Sequence, residues 1–399
     1  MARSLVTGID VGSAFVRVVV CDYSQSDQGL VVRALVKVPS DGLKNGYVVN
    51  ADTAGECIGT ALSEAGRLTG QQIKRATVAV GGVGLSTIME TATIAISRAD
   101  GVVSEFDVTR AVGESEARVS ERPNTKILHT IPSEFKVDGR KVLGKPLGHV
   151  GAKLEIRTLF VTAAMPHVEA LVSAIEAQGT EVSDFYAAPI AESMVTLTPS
   201  ARNAGSVLVN LGAETVSLVT YEDSLPTSLK VFPLGSVDIT NDIALGLRVS
   251  LEEAEQVKLG LLPDKRPNKK VGDIISARFS DIFELIDTHL KKIGRSGLLP
   301  AGVLFTGEAS HSKGIEELAR KELGLPAKVA KNFIPGNLAS KPTEARVRER
   351  LERARDPEWS VALGLCVLGL MGPGEESLGL RVAKRTKSGV IKFLRQFLP

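Results

Sequence analysis

Short apolar runs bounded by turn residues open the chain. Ser4–Asp10 and Phe15–Cys21 predict a pair of strands joined by Val11-Gly12-Ser13-Ala14, and Leu30–Val38 predicts a third. Helical spacing follows from Asp52, a predicted N-cap, to about Leu68. Ala76–Val80 reads as a buried strand ended by Gly81-Gly82.

The pattern then changes. Ser86–Ile96 is β-rich, about Ser104–Arg118 is helical, and short strands are expected at Ile127–Ile131, Glu134–Val137 and Leu154–Thr162. The turn Asp138-Gly139 and the loop 144–148 punctuate this stretch, which reads as an inserted α+β unit. Helix–strand alternation resumes with a helix at 167–178, a strand near Val182–Phe185 and a helix from Pro189. Ser206–Leu211 and Thr215–Thr220 form a second strand pair around a short turn, repeating the opening pattern without close sequence repetition. Helices are expected at about 236–247, 250–260, 274–293, 311–323, Lys341–Arg355 and Ser360–Leu370. A strand at Val303–Phe305 runs into the loop Gly307–Ser310. Met371–Gly379 is a Gly/Pro/Glu linker, and Leu380–Pro399 is short and basic.

At ~100–200 residues per domain, 399 residues predict two or more units. Forty-eight basic against 46 acidic residues leave a net charge of +2, so no nucleic-acid partner is expected. Cys21, Cys57 and Cys366 lie far apart and the histidines form no HExxH pattern, which argues against a disulfide scaffold and a zinc site. The first residues do not resemble a secretory signal, because their apolar run is short and meets Asp10. The longest uncharged stretch, Trp359–Gly374, falls short of the ~20 residues a spanning helix needs. A soluble, cytoplasmic body is expected.

Four stretches could carry chemistry. In Gly8–Arg17, a tight turn at Gly12, Ser13, Ala14 and Phe15 would point backbone N–H groups into one space, a nest for phosphate oxygens. Asp10 could hold the water shell of a Mg²⁺ ion. Asn210, Gly212, Ala213, Glu214 and Thr215 form the second such turn. In the third, Gly307, Glu308, Ala309 and Ser310 follow a strand as a small-residue loop that would let backbone approach a base or phosphate. In the fourth, Ser250 and Glu253 make a capping box, and Glu255 and Lys258 share a helix face that could grip ribose or adenine. Alone, each also reads as an ordinary hairpin tip, strand–helix turn or surface ion pair. In this order and at these separations they match the ATP clamp of actin-like proteins.

The resemblance extends over nearly the whole chain. Pro233–Ala244, running into Glu252–Glu255, is similar to the FtsA family of bacterial division proteins within the actin superfamily. Ile127–Pro132, Val137-Asp138-Gly139, Pro146-Leu147-Gly148 and Gly151–Glu155 resemble the inserted subdomain, 1C, that separates this family from ordinary actins. The resemblance implies an α/β, two-lobed actin-like ATPase fold with that α+β insertion and a C-terminal amphipathic helix. Its division of the chain is 1–82 (lobe 1), 83–165 (1C), 166–200 (lobe 1 continued), 201–234 (lobe 2), 235–296 (subdomain 2B), 297–358 (lobe 2 continued), 359–370 (return helix), 371–388 (linker) and 389–399 (membrane helix).

It further implies ATP with Mg²⁺ as cofactors, bound by the residues of the four stretches, with Asp10 meeting the metal through water. The implied partners are the C-terminal peptide of FtsZ, further copies of the chain in a filament, anionic membrane lipids and later division proteins. The implied location is the cytoplasmic face of the membrane at the division site. Several positions depart from the family pattern. Asn210 stands for the usual Asp, Ala213 and Glu214 for glycines, Ser217 for Asp, Phe15 for a basic residue and Glu308 for glycine. With a neutral amide at 210, hydrolysis is expected to be slow at most, and no catalytic residue is assigned.

On a helical wheel, Phe393, Phe397, Val390, Leu394, Leu398 and Ile391 fill an arc of roughly 160°, opposite Lys392, Arg395 and Gln396. Lys384, Arg385 and Lys387 precede them, and no acid follows Glu376. Such a helix is suited to lie in the plane of an anionic bilayer. It could instead pack on the protein's own core, but the linker before it favours the membrane. Two other functions fit the superfamily. A PilM-like pilus platform protein would bind a partner peptide but lacks such a tail. A sugar or acetate kinase, or a heat-shock-type ATPase, is the enzyme alternative; a kinase needs a substrate-side carboxylate as base, and the amide at Asn210 argues against efficient phosphoryl transfer.

Overall fold

The computed structural model describes residues 5–24, 29–261, 268–334 and 345–371. The chain opens with β1 (Leu5–Val11), β2 (Phe15–Ser24) and β3 (Gly29–Pro39), then a small ribbon of β4 (Leu43–Lys44) and β5 (Tyr47–Val48). Helix α1 (Ala51–Thr69) leads to β6 (Arg75–Val80). The insertion follows as β7 (Ser86–Ala95), α2 (Glu105–Ser120), β8 (Thr125–Val137), β9 (Arg140–Val142) and β10 (Lys153–Ala164). Next come α3 (Met165–Glu176), β11 (Glu181–Ala187), α4 (Ala188–Thr196) and α5 (Pro199–Ala204). The second lobe holds β12 (Ser206–Leu211), β13 (Val216–Glu222), β14 (Leu225–Phe232), α6 (Ser236–Leu247), α7 (Leu251–Lys258), α8 (Asn268–Lys292), β15 (Gly302–Thr306), α9 (Ile315–Leu323) and β16 (Ala327–Val329). Helices α10 (Ala345–Ala354) and α11 (Ser360–Met371) complete the described chain.

Both lobes are built on the same five-stranded plan. One sheet has the order β3-β2-β1-β6-β11 and the other β14-β13-β12-β15-β16. In each, a three-strand antiparallel meander is extended by two parallel strands. The duplication is thus carried by topology where sequence repetition is faint. The central strands bury both faces: Val16, Val18 and Val20 of β2 pack one way, Val19 and Cys21 the other. That is why they read as unbroken apolar runs rather than alternating ones.

Helix α11 is apolar all round because it is buried all round, with Val361 to Leu368 at 5% exposure or less apart from its glycine. Two glycines allow this seat. A Cβ on Gly364 would lie 1.8 Å from the Ala191 carbonyl oxygen of α4, and one on Gly8 would lie 2.2 Å from the Ala362 oxygen. The return helix therefore lies against β1 on one side and α4 on the other.

The insertion forms its own sheet, ordered β7-β10-β8-β9, with α2 against it and a separate core of Ala92, Ile94, Val108, Ala111, Leu154 and Ile156. Ser104 and Asp107 form a reciprocal capping box at the start of α2.

Several sequence expectations change. The two strands expected at Ile127–Ile131 and Glu134–Val137 are one strand, β8. Its register against β10 slips between Thr158↔Pro132 and Arg157↔Glu134, a bulge that accommodates a proline with no N–H to give. The cap of α1 is Asn50, whose Oδ1 accepts the Thr53 amide, and not Asp52. The loop after β15 winds into a short 3-10 turn, Glu308–His311, and α9 starts at Ile315 rather than 311. Helix α8 begins at Asn268, earlier than expected. Strands β9, β14 and β16 and helix α5 were not foreseen; β14 reads poorly because Pro226, Thr227, Ser228 and Lys230 break its apolar pattern.

Candidate functional site

The strand pairing places the two hairpin turns at equivalent ends of the two sheets. In the first, the Gly12 amide donates to the Phe15 oxygen at 3.1 Å, leaving Ser13 and Ala14 at the tip. In the second, the Gly212 amide donates to the Thr215 oxygen at 2.9 Å, leaving Ala213 and Glu214 there. A Cβ on Gly212 would fall 2.8 Å from that Thr215 oxygen, so the close turn requires glycine. The second turn is also anchored to α6, because the Ser236 and Val237 amides donate to the Gly212 and Ala213 oxygens, both at 2.9 Å.

The third stretch meets the second directly. Gly307 adopts φ +81°, and a Cβ there would lie 2.6 Å from the Leu211 oxygen and 2.8 Å from Asn210 Oδ1. Only a glycine brings that backbone against the second hairpin. Ser310 is buried and its hydroxyl donates to the Gly307 oxygen at 2.6 Å, closing the turn that also holds Glu308 and Ala309.

The fourth pair is less open than its sequence suggests. Lys258 Nζ lies 2.7 Å from Glu255 Oε2 and donates to Thr240 Oγ1 at 2.8 Å, while the Thr240 hydroxyl donates to Glu255 at 2.6 Å. Lys258 also reaches the Ser236 oxygen at 3.2 Å. Both residues thus brace α7 against the start of α6, the same segment that holds the second turn. Ser250 caps α7 by accepting the Glu253 amide.

The residues that depart from the family pattern tie the lobes together. Glu308 does not point away from the basic groups of lobe 1. Its two oxygens meet Arg17 at 3.2 Å and Lys37 at 3.0 Å. Lys37 also pairs with Glu358 at 2.7 Å and sits 4.1 Å above the Phe15 ring. Glu214 accepts from the Asn45 amide at 2.6 Å and from Lys44 Nζ at 3.2 Å. The Ser13 hydroxyl accepts from the Gly46 amide at 3.1 Å. The 45–46 turn therefore touches both hairpin tips.

Beneath the turns lie two carboxyls, the half-buried Asp10 and the wholly buried Glu192. Burial raises the pKa of Asp10, opposed by the positive charge of Arg17. Glu192 of α4 was missed by sequence reading, since a Glu in a short apolar helix carries no motif. It is wholly buried, and burial pushes its carboxyl up to about 8 against two hydrogen bonds, with the charge of Asp10 adding to the rise. Asn210 Nδ2 donates to its Oε2 at 2.7 Å and Thr306 Oγ1 donates to the same oxygen at 2.9 Å, while Oε1 has no hydrogen-bond partner. The signal available was an acid on an otherwise apolar helix, which, once buried, needs polar partners.

These features fit a nucleotide with its metal. Two glycine-closed turns face one region with amides at their tips, a third backbone segment lies tight against one of them, and a buried carboxyl oxygen stands without a donor. The predicted tail residues Val390, Ile391, Lys392, Phe393, Leu394, Arg395, Phe397 and Leu398 lie outside the described residues.

Comparison with known proteins agrees with this geometry. A family profile described as "Cell division protein FtsA" matches residues 207–364, and one described as "SHS2 domain inserted in FTSA" matches residues 82–162. The cell division protein FtsA of Bacillus subtilis is 27% identical over 386 residues, covering 91% of this chain and 83% of the relative. That of Pseudomonas aeruginosa is 25% identical over 388 residues, covering 92% and 89%. Among solved structures, the PilM-PilN type IV pilus biogenesis complex aligns with TM-score 0.66 at 18% identity, covering 92% of this chain and 98% of that one. MreB5 of Spiroplasma citri bound to ADP aligns with TM-score 0.51 at 12% identity, covering 93% and 97%. At such identities these structures share the fold and nothing finer. The two profiles between them account for the insertion and most of the second lobe, on an actin-like frame with paired sheets, and the chain belongs to the FtsA family of cell division proteins.

Proposed function

We propose that this chain is an ATP-binding, actin-like protein that polymerises on the cytoplasmic membrane at the division site, tethers FtsZ filaments there through their C-terminal peptide, and recruits later division proteins. The observation that carries this reading is the pair of matched hairpin turns, one from each lobe of an FtsA-family chain, joined by contacts across the cleft.

ATP lies between the lobes. The amides of Ser13, Ala14, Ala213 and Glu214 meet the phosphates, with Gly12, Phe15, Gly212 and Thr215 setting the turns. The backbone of Gly307–Ser310 flanks the base or the phosphates, and Glu255 and Lys258 meet ribose or adenine once they release each other. Bound Mg²⁺ neutralises phosphate charge, with Asp10 holding its water shell. Asn210 presents a neutral amide, so ATP acts chiefly as an assembly ligand that favours a closed, polymer-competent arrangement of the lobes. The MreB5 neighbour, described as bound to ADP, supports a nucleotide on this fold.

No helix among the described residues is long and apolar enough to cross a membrane. Attachment is then the work of residues 389–399. Each basic side chain near an anionic surface contributes ~1 kcal/mol. Each partly buried large apolar side chain adds ~1.5 kcal/mol. Ordering the helix offsets much of this, so one tail binds weakly, while many tails on a filament bind tightly because later contacts are intramolecular.

The test is sedimentation and electron microscopy with anionic vesicles. The intact chain with ATP is expected to pellet as membrane-bound filaments. Deleting residues 389–399 should abolish pelleting while the fold survives, as judged by circular dichroism. Vesicle binding unchanged by the deletion, or filaments indifferent to ATP, would overturn the reading.

A further inference from the structure

We propose that Glu192 supplies, from helix α4, the cation-facing carboxylate that the second hairpin lacks at Asn210. This rests on the nucleotide-and-metal reading above, and it concerns which side chains of this chain meet the metal.

The argument starts from a reciprocal pair. Asn210 Nδ2 donates to Glu192 Oε2 at 2.7 Å. An aspartate at 210 would set two acceptor-only carboxylates that far apart in a buried place, a strongly repulsive contact. The amide at 210 and the acid at 192 are therefore complementary: the carboxylate stands on the helix beside the strand, and the amide on the strand holds it. Thr306 Oγ1, from β15, donates to the same Oε2 at 2.9 Å. One oxygen thus receives both donors and is fixed between the two strands that carry the second and third nucleotide stretches.

The other oxygen is unspent. Glu192 Oε1 has no hydrogen-bond partner although the residue is 0% exposed. No Lys or Arg among the described residues pairs with it, and the nearby charge that acts on it is the like charge of Asp10. A buried carboxyl oxygen with neither donor nor counter-cation is costly, and more so beside a second acid. A divalent ion between Asp10 and Glu192 removes both costs at once, since Mg²⁺ takes oxygen ligands and keeps several waters. Arg17, the cation that acts on Asp10, is already engaged by Glu308 and Glu358 at 3.2 and 3.9 Å. It makes no ion pair with Glu192.

The experiment uses Mn²⁺ as the probe, read by electron paramagnetic resonance on the full chain, first without nucleotide and then with ADP. Variants are Glu192→Gln, Asn210→Asp and the double exchange Glu192→Gln with Asn210→Asp. Glu192→Gln is expected to weaken Mn²⁺ about tenfold or more in both conditions. The double exchange, which returns the carboxylate to the strand and the amide to the helix, is expected to restore affinity to within a few-fold of the parent. Unchanged Mn²⁺ affinity in Glu192→Gln overturns the proposal, as does a double exchange no better than the single variant.

A measurement on the unaltered chain covers the case in which a variant does not fold. Fe²⁺ in place of Mg²⁺, with ascorbate and peroxide, cuts backbone beside the bound metal. Cuts near Asp10, Glu192 and Asn210 support the assignment, and cuts confined elsewhere overturn it. Titration with a fluorescent ATP analogue separates the two failures. Absent nucleotide binding with Glu192-dependent Mn²⁺ binding sinks the nucleotide reading alone. Nucleotide binding with Mn²⁺ indifferent to Glu192 sinks this inference alone.

Discussion

Replacing Glu192 by Gln should flatten the dependence of this protein's stability on pH. In the folded chain burial raises the Glu192 carboxyl from 4.5 to about 8, so between those values the native state holds a proton that the unfolded chain has released. Stability is then fully present below the unfolded value and is lost as pH rises through the folded one. Raising the carboxyl this far corresponds, at about 1.36 kcal/mol for each pH unit, to about 5 kcal/mol over the whole window, of which about 3 kcal/mol is already lost at pH 7. The side chain is wholly buried, so solvent screening does not discount the effect.

Gln keeps the shape and can still accept from Asn210 and Thr306, but it does not titrate. The assay is urea unfolding of parent and variant from pH 4.5 to pH 9 in metal-free buffer with chelator. The parent midpoint should fall steadily across this range, and the difference between the two proteins should change sign or widen in the variant's favour as pH rises. Parallel pH profiles for the two proteins would refute the reasoning, because they would mean that Glu192 ionises alike in the folded and unfolded chains.

Two further outcomes follow from the contacts. Glu308→Gly should remove one of the two acids that engage Arg17 and Lys37, leaving Glu358, and so raise affinity for a fluorescent ATP analogue several-fold at low salt and less at high salt; unchanged affinity would mean that these cations do not face the nucleotide. Gly364→Ala should cost about 3 kcal/mol or more in urea unfolding, because its Cβ would meet the backbone of Ala191 and push α11 off α4.

The order of elements was legible because each rests on local pattern. The apolar runs of β1, β2 and β12, the helical spacing of α1 and α6, and the Ser250 cap are read within a few residues of themselves. The glycines at 12, 212 and 307 announced close turns for the same reason. The partners of Glu308 were not legible, since whether an acid at that place turns toward Arg17 and Lys37 depends on residues 291 and 271 positions away. Glu255 and Lys258 were read as ligand groups from their shared face. The structure adds Thr240, from another helix, which satisfies both.

The chain's own order of side chains determined the strands, the helices, the two hairpin turns and the likeness to the FtsA family, because hydrophobic period and turn chemistry act over short distances. The tertiary structure alone decided that both lobes share one sheet plan, that Glu214 and Glu308 bridge to the opposite lobe, and that Glu192 faces Asn210. Those outcomes depend on which strands and helices come to lie side by side, and burial, the force that gives such contacts their strength, exists only once they do.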